Sequence, residues 1–310
     1  MASAGGAAGP RNSAGVSGQE GGDGGHAASG GAAGASGIIG TGGNPGSGGA
    51  TANTGGLAGG STQAPWLTLP ARSVGCGKAA KGTGSYVRQD MQVAAKARAN
   101  FLWLPLNYDP TKAHELLISL HGTGGVAPGD GKGIETAAGN EAIIMTPQGI
   151  DGMWQLGADG EDVAFFDAMY AFATENFCVN QQRVFVTGFS LGAAMSNLLG
   201  CVRGDKIRGI GPLAGWQPAR QTDCRGRPAA WFAHGTSDGA VPIVQGTRSL
   251  GLQMVRNGCE AATAPTPPSP CVAQQGCDTG SPVVWCEIPG DHGTPIEWSV
   301  PALWKFFAAL

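Results

Sequence analysis

Hydrophobic positions divide the chain into two parts with different physics. From about residue 65 onward, short apolar runs alternate with stretches of helical period. Phe101-Leu102-Trp103-Leu104, Leu116-Leu117-Ile118-Ser119-Leu120, Ala142-Ile143-Ile144-Met145 and Val184-Phe185-Val186 read as strands. Ile207–Leu213, Ala229–Ala233 and Val283–Ile288 continue the series. Between them, Asp162–Phe177 places Val163, Phe166, Met169, Tyr170 and Ala173 on one helical face. Leu191–Leu199 predicts a second helix, and Val300–Leu310 a closing one. Strands that are apolar throughout, alternating with helices, predict an α/β fold. Its sheet is mainly parallel and covered by helices on both faces. Residues 259–282 interrupt the alternation with the Pro-rich run Pro265–Pro270 and three cysteines, which predicts a stapled loop rather than a second domain.

Residues 1–63 carry no such pattern. They hold 23 of the 55 glycines, no aromatic residue and three charges, Arg11, Glu20 and Asp23. Such a segment cannot bury enough apolar area to offset the entropy of ordering it, so it reads as a disordered tether before a folded domain at 64–310. Its glycines have no triplet period, which excludes collagen. It has neither the basic start nor the apolar stretch of an export signal, the most apolar piece being Gly37-Ile38-Ile39-Gly40. The eight cysteines, all beyond the tether, argue the other way. An even count without a CxxC pair points to disulfides and a location outside the cytoplasm, in the extracellular space or cell envelope, with buried free thiols as the alternative. The two observations together predict a truncated or misplaced start. No pairing is assigned.

Lys and Arg total 19 against 22 Asp and Glu, a net charge of −3, which gives no basic field for nucleic acid. No run approaches the roughly 18–20 apolar residues of a membrane span.

Candidate chemistry sits where a strand meets a helix. Arg183–Thr187 reads as a strand, Gly188-Phe189-Ser190-Leu191-Gly192 follows, and Ala193–Leu199 favours helix. This is G-x-S-x-G in the setting the chemistry needs. The serine stands clear on a strained turn, and the glycines avoid collision with neighbouring elements. Gly235-Thr236-Ser237-Asp238-Gly239 matches the same pattern, but Ala240-Val241-Pro242-Ile243-Val244 is a poor immediate helix. Ser190 is therefore the candidate nucleophile.

A serine needs a base and an acid to orient that base. Five histidines allow elimination. His26 lies in the tether, His114 reads as a surface residue, and His121 ends an early strand. Only His234 and His292 follow Ser190, and His292 lies just past a strand end with glycines on both sides. The competing reading of His292 is a plain loop histidine. Asp238, past the strand ending at His234, is the candidate acid. Its rivals are Asp291, too close to His292 to face its ring, and Asp205 and Asp223; a plain turn residue is its alternative. The backbone N–H of Leu191 is one expected oxyanion donor. The other comes from His121-Gly122-Thr123-Gly124-Gly125, with Thr123 favoured and Gly122 or Gly124 open. That loop lacks the Lys-Ser/Thr ending of a phosphate cradle. Trp154 and Trp216 are candidates for an aromatic acyl pocket, against ordinary packing. No metal or cofactor is required.

The ordered set resembles the extracellular feruloyl esterase and polyhydroxybutyrate depolymerase family of α/β hydrolases. The pieces are Leu104–Asp109, Leu120–Gly125, Asp162–Phe166, Cys178-Val179-Asn180, Arg183–Ser190, Pro212–Gly215, His234–Asp238 and Gly290-Asp291-His292, in family order over about residues 76–310. The resemblance implies an α/β-hydrolase fold and a Ser190–Asp238–His292 triad. It also implies a secreted serine esterase acting on plant-wall aromatic esters or polyesters. Leu191 and Ala193 stand where many relatives have Asn or Gln and Gly. Acetylxylan esterase and polyhydroxybutyrate depolymerase are the alternatives within the enzyme class. A non-catalytic surface-binding protein on a hydrolase scaffold is the alternative outside it.

Overall fold

The computed structural model describes residues 64–129 and 133–310; the predicted tether at 1–63 lies outside the described residues. The chain opens with a hairpin of β1 (Tyr86–Val93) and β2 (Lys96–Trp103). Then follow β3 (His114–Leu120), α1 (Ile134–Ala138), β4 (Ala142–Pro147), α2 (Glu161–Asn176), β5 (Val179–Phe189), α3 (Leu191–Val202) and β6 (Gly209–Leu213). The last part is β7 (Ala229–Gly235), α4 (Ile243–Arg256), β8 (Thr263–Pro265), β9 (Cys271–Gln274), β10 (Val283–Ile288) and α5 (Thr294–Ala308).

All the strands join one sheet in the order β1-β2-β4-β3-β5-β6-β7-β10-β9-β8. The six in the middle, from β4 to β10, run parallel. An antiparallel pair flanks each side. The apolar runs explain the parallel centre, because successive side chains serve opposite faces. Leu116 and Ile118 of β3, with Val184 and Val186 of β5, pack in the core layer that holds residues of α2 and α3. Leu117 and Phe185 join the other layer, with Ile134 of α1 and Leu303 and Phe307 of α5. No helix among the described residues is long and apolar enough to cross a membrane.

The seven predicted strands and three predicted helices are all present, with shifted ends. Helix α5 begins at Thr294 rather than Val300. Its early Pro295 sits in the first turn, where a missing N–H costs nothing, and Pro301 lies inside the helix. Helix α4 was not expected: Gly246 and Gly251 interrupt its sequence and lower helical propensity. The 259–282 segment is stapled as predicted, yet it also carries β8 and β9 and widens the sheet. His114 corrects the surface assignment. It is 1% exposed, opens β3 and stacks on Tyr108 with ring centroids 5.0 Å apart. All eight cysteines are paired, as Cys76–Cys178, Cys201–Cys224, Cys259–Cys277 and Cys271–Cys286. The free-thiol alternative is set aside, and four bridges fit an oxidising compartment.

Candidate active site

The parallel strands end on one edge of the sheet, and the loops there hold the chemistry. At the end of β5 the chain reverses through Ser190, whose backbone sits at φ 55° and ψ −117° before α3 starts. A positive φ costs a serine roughly 1–3 kcal/mol, so the surroundings must impose it. They do. The Ser190 N–H donates to the Leu213 carbonyl at 2.9 Å, and the Ser190 carbonyl accepts the Ala194 N–H at 3.0 Å. Close packing explains both glycines of the motif. A Cβ on Gly188 would overlap the Gly192 carbonyl, and one on Gly192 would overlap the carbonyls of Leu120 and His121.

Asp238 and His292 arrive from the loops after β7 and β10. The Asp238 side chain is fully covered. Its Oδ1 accepts the N–H groups of Ala240 at 2.9 Å and Val241 at 2.8 Å. Its Oδ2 lies 2.6 Å from His292 Nδ1. Burial pushes this carboxyl toward the neutral form. The hydrogen bonds from His292 and the two backbone N–H groups, with the attraction of the imidazole, outweigh that and hold it below the usual carboxylate range. A carboxylate only accepts, so His292 Nδ1 carries the proton and Nε2 offers its lone pair. That Nε2 is 2.9 Å from Ser190 Oγ, which donates to it. The His292 ring rests against Phe189 at a centroid distance of 4.7 Å.

Main-chain bonds hold the two loops together. The Thr236 N–H donates to the Ile288 carbonyl at 2.9 Å, and the Ser237 N–H to the Gly290 carbonyl at 2.8 Å. Gly235 lets them meet, because a Cβ there would overlap the Asp291 carbonyl. Ser237 thus has a structural use: its backbone fastens the histidine loop while its side chain is exposed. The rival acids are engaged elsewhere. Asp291 accepts from Gly293 and Thr294 at the start of α5, and Asp205 lies 3.9 Å from Arg225. Asp223 sits in a short turn after β6.

The other wall of the site is the loop after β3. Gly124 N–H donates to the Gly152 carbonyl at 2.8 Å and Gly125 N–H to the Gly122 carbonyl at 3.0 Å. Thr123 N–H meets no acceptor among the described residues, and Leu191, first in α3, has no intrahelical acceptor. His121 sets this loop. Its Nε2 accepts the Gly149 N–H at 2.9 Å, which leaves the proton on Nδ1, and Nδ1–H donates to the Gly122 carbonyl at 2.7 Å. In a trans peptide the carbonyl and the next N–H point opposite ways, so holding the Gly122 carbonyl turns the Thr123 N–H away from His121. Gln148 braces the same loop, donating to the Gly125 carbonyl and accepting the Ala127 N–H.

A cavity of about 630 Å³ lies between the walls, lined by Gly122–Gly125, Phe189, Ser190, Trp216, Ala240, Val241 and His292. Of the two candidate tryptophans, Trp216 lines this cavity. Trp154 does not. It is 5% exposed, its ring lies 4.7 Å from that of His121, and its indole N–H donates to the His121 carbonyl at 2.8 Å. A buried indole needs an acceptor, and this one finds it behind the Gly122–Gly125 loop. Sequence reasoning also passed over His121 and Gln148 as supports; the signal for His121 is a histidine at the end of a strand followed directly by a glycine. A second cavity of about 490 Å³, between α5 and Thr266–Pro268, has no serine, histidine or carboxylate in its lining.

Fold and site together define a carboxylic ester hydrolase of the α/β-hydrolase fold. No family model matches the chain. It is 32% identical over 280 residues to feruloyl esterase D of Neurospora crassa, covering 79% of this chain and 92% of that protein. It is 33% identical over 258 residues to feruloyl esterase C of Emericella nidulans, covering 77% and 92%. The chain belongs to the feruloyl esterase family. Among solved structures, the acetyl xylan esterase from Aspergillus awamori superposes with a TM-score of 0.60 at 16% identity, over 72% of this chain and all of that one. The feruloyl esterase module from Clostridium thermocellum, a mutant complexed with sinapinate, gives 0.54 at 12% identity over 73% and 87%. These likenesses concern the fold.

Proposed function

We propose that the chain is a secreted serine esterase that cleaves feruloyl-type esters of plant cell-wall polysaccharide through an acyl-enzyme. The observation that carries this reading is the continuous line from Asp238 Oδ2 through His292 to Ser190 Oγ, with steps of 2.6 and 2.9 Å. His292 takes the Ser190 proton as Oγ attacks the ester carbonyl. The N–H groups of Leu191 and Thr123 receive the oxyanion, stabilising charge that exists only during reaction. Asp238 holds the imidazole in the required tautomer and balances its positive charge. His292 then protonates the leaving sugar hydroxyl, and the ester of Ser190 remains. Water activated by the same imidazole releases the acid.

Three features support an aromatic acyl group. Trp216 and Phe189 offer ring faces within the cavity. Among the exposed large apolar side chains of the described residues, Val126 directly follows Gly122–Gly125, and Ile150 and Met153 flank Gly152, whose carbonyl accepts the Gly124 N–H. Feruloyl esterases D of Neurospora crassa and C of Emericella nidulans are relatives, and one structural neighbour is complexed with sinapinate. The four disulfides agree with work outside the cell. A side-by-side assay of methyl ferulate, acetylated xylan and polyhydroxybutyrate tests the substrate class. Preference for methyl ferulate is expected. Preference for either of the others transfers the protein to acetylxylan esterases or polyester depolymerases, and no turnover of any ester leaves a surface-binding scaffold.

A further inference from the structure

Asp238 Oδ2 faces two imidazoles, and the proposed reaction uses only one. The second belongs to His234, near the end of β7 and 1% exposed. Its Nε2 lies 2.8 Å from the Val241 carbonyl and 3.2 Å from Asp238 Oδ2. Both neighbours are acceptors, so Nε2 carries a proton; it donates to the Val241 carbonyl, and the same N–H lies beside Asp238 Oδ2. The ring occupies a slot made for it. Trp285 stacks at a centroid distance of 6.2 Å. On the opposite element, a Cβ on Gly246 would overlap His234 Nδ1. A glycine inside a helix costs up to about 1 kcal/mol relative to alanine, and α4 carries one where the imidazole needs room.

An apolar side chain would fill a buried strand position without needing a partner. The imidazole instead ties both ends of the acid turn. Asp238 Oδ1 takes the Val241 N–H, while His234 takes the Val241 carbonyl. We infer that His234 is a positioning residue for Asp238, fixing the acid turn and drawing off part of the carboxylate charge that His292 feels. This inference rests on the proposed triad.

The electrostatic consequence has a definite sign. A donor N–H 3.2 Å from Asp238 Oδ2 offsets part of the carboxylate's negative field at the imidazolium of His292. Without that donor the carboxylate stabilises the protonated form of His292 more strongly. Free base then appears only at higher pH, so the acid limb of kcat/KM moves up. The other charged groups around His234 are few. Glu287, its register partner on β10, is exposed and lies 3.5 Å from the Trp285 indole nitrogen. α4 contributes Arg248 and Arg256, and the latter donates to the Gly200 carbonyl.

The test is the pH profile of kcat/KM on p-nitrophenyl acetate for His234→Leu, His234→Gln and Gly246→Ala, with folding checked by circular dichroism. His234→Leu moves the acid limb up by about 0.5–1 unit, a roughly three- to tenfold extra loss on the acid side. His234→Gln keeps a donor and stays nearer the wild-type limb. Gly246→Ala displaces the ring and moves the limb in the same direction, which provides the reading if His234→Leu fails to fold. Equal loss at every pH, with the limb fixed in both His234→Leu and Gly246→Ala, overturns the inference and leaves His234 as packing. Fluorophosphonate labelling of the wild-type enzyme separates this from failure of the triad. Label on Ser190 with an unmoved limb rejects the role of His234 alone. Label elsewhere rejects the triad itself.

Discussion

The two walls of the cavity are held in different ways. On the side of Asp238 and His292, neighbouring loops are joined by backbone bonds, from Thr236 to Ile288 and from Ser237 to Gly290, over a glycine that permits contact. On the side of the Gly122–Gly125 loop, buried side chains from distant segments do the holding. Arg98 of β2 contacts Asp162 of α2 at 2.5 Å, with both side chains almost fully covered. Asp162 also accepts the Gln155 N–H at 2.7 Å, and Arg98 donates to the Gln148 carbonyl at 3.3 Å. The 148–155 segment thus fixed carries Gln148 and Trp154, which brace the loop of Thr123. Disturbing the first wall therefore damages chemistry, whereas disturbing the second damages stability before chemistry.

That contrast can be broken experimentally. The largest effect belongs to Asp238→Asn, which keeps the shape of the acid turn but loses the tautomer control. A fall in kcat on the order of 10⁴-fold, with unchanged circular dichroism, is expected; a fall below tenfold removes Asp238 from the triad. Asp162→Ala comes next. It leaves Arg98 buried without its partner and lowers unfolding free energy by about 3–5 kcal/mol, read from a denaturant midpoint. The folded enzyme keeps kcat within about tenfold, since no reacting atom is lost. A larger kcat loss at full stability would erase the distinction between the walls.

Two tryptophans sharpen it further. Trp216→Ala cuts kcat/KM on methyl ferulate by roughly three- to tenfold and leaves p-nitrophenyl acetate nearly unchanged, as expected for a lost ring contact. Trp154→Phe lowers the denaturant midpoint first, and whatever kcat/KM it loses is lost on both esters alike, because it acts through the loop. The smallest effect concerns acid stability. The Asp238 carboxyl is held low in the fold, so its contribution is present above the unfolded value of about 3.9 and fades as pH falls through the lower folded value. The stability gap between wild type and Asp238→Asn should narrow below about pH 4 in chemical denaturation. A constant gap would mean that the carboxylate is not favoured by folding.

The same contrast explains what could be read from the chain. The parallel strands were legible because each apolar run serves two core layers. The Ser190 turn was legible because its glycines lie within two positions of the residue they serve. Asp238 and His292 lie just past strand ends, so order along the chain and position in space coincide. Trp154 was misplaced because its partner is the carbonyl of His121, 33 residues away. His114 was misplaced for a similar reason, as only folding brings Tyr108 over its ring. Helix α4 escaped because its glycines lower helical propensity, and one of them answers to His234 on β7. Long-range polar pairing leaves no period in the sequence.

The central claim is that the hydroxyl at Ser190, and not that at Ser237, has been made nucleophilic by its surroundings. Reaction with a fluorophosphonate followed by peptide mapping tests this directly. A single adduct on Ser190 is expected, lost in Ser190→Ala and retained in Ser237→Ala. An adduct on Ser237, or none on a folded and active enzyme, would contradict it.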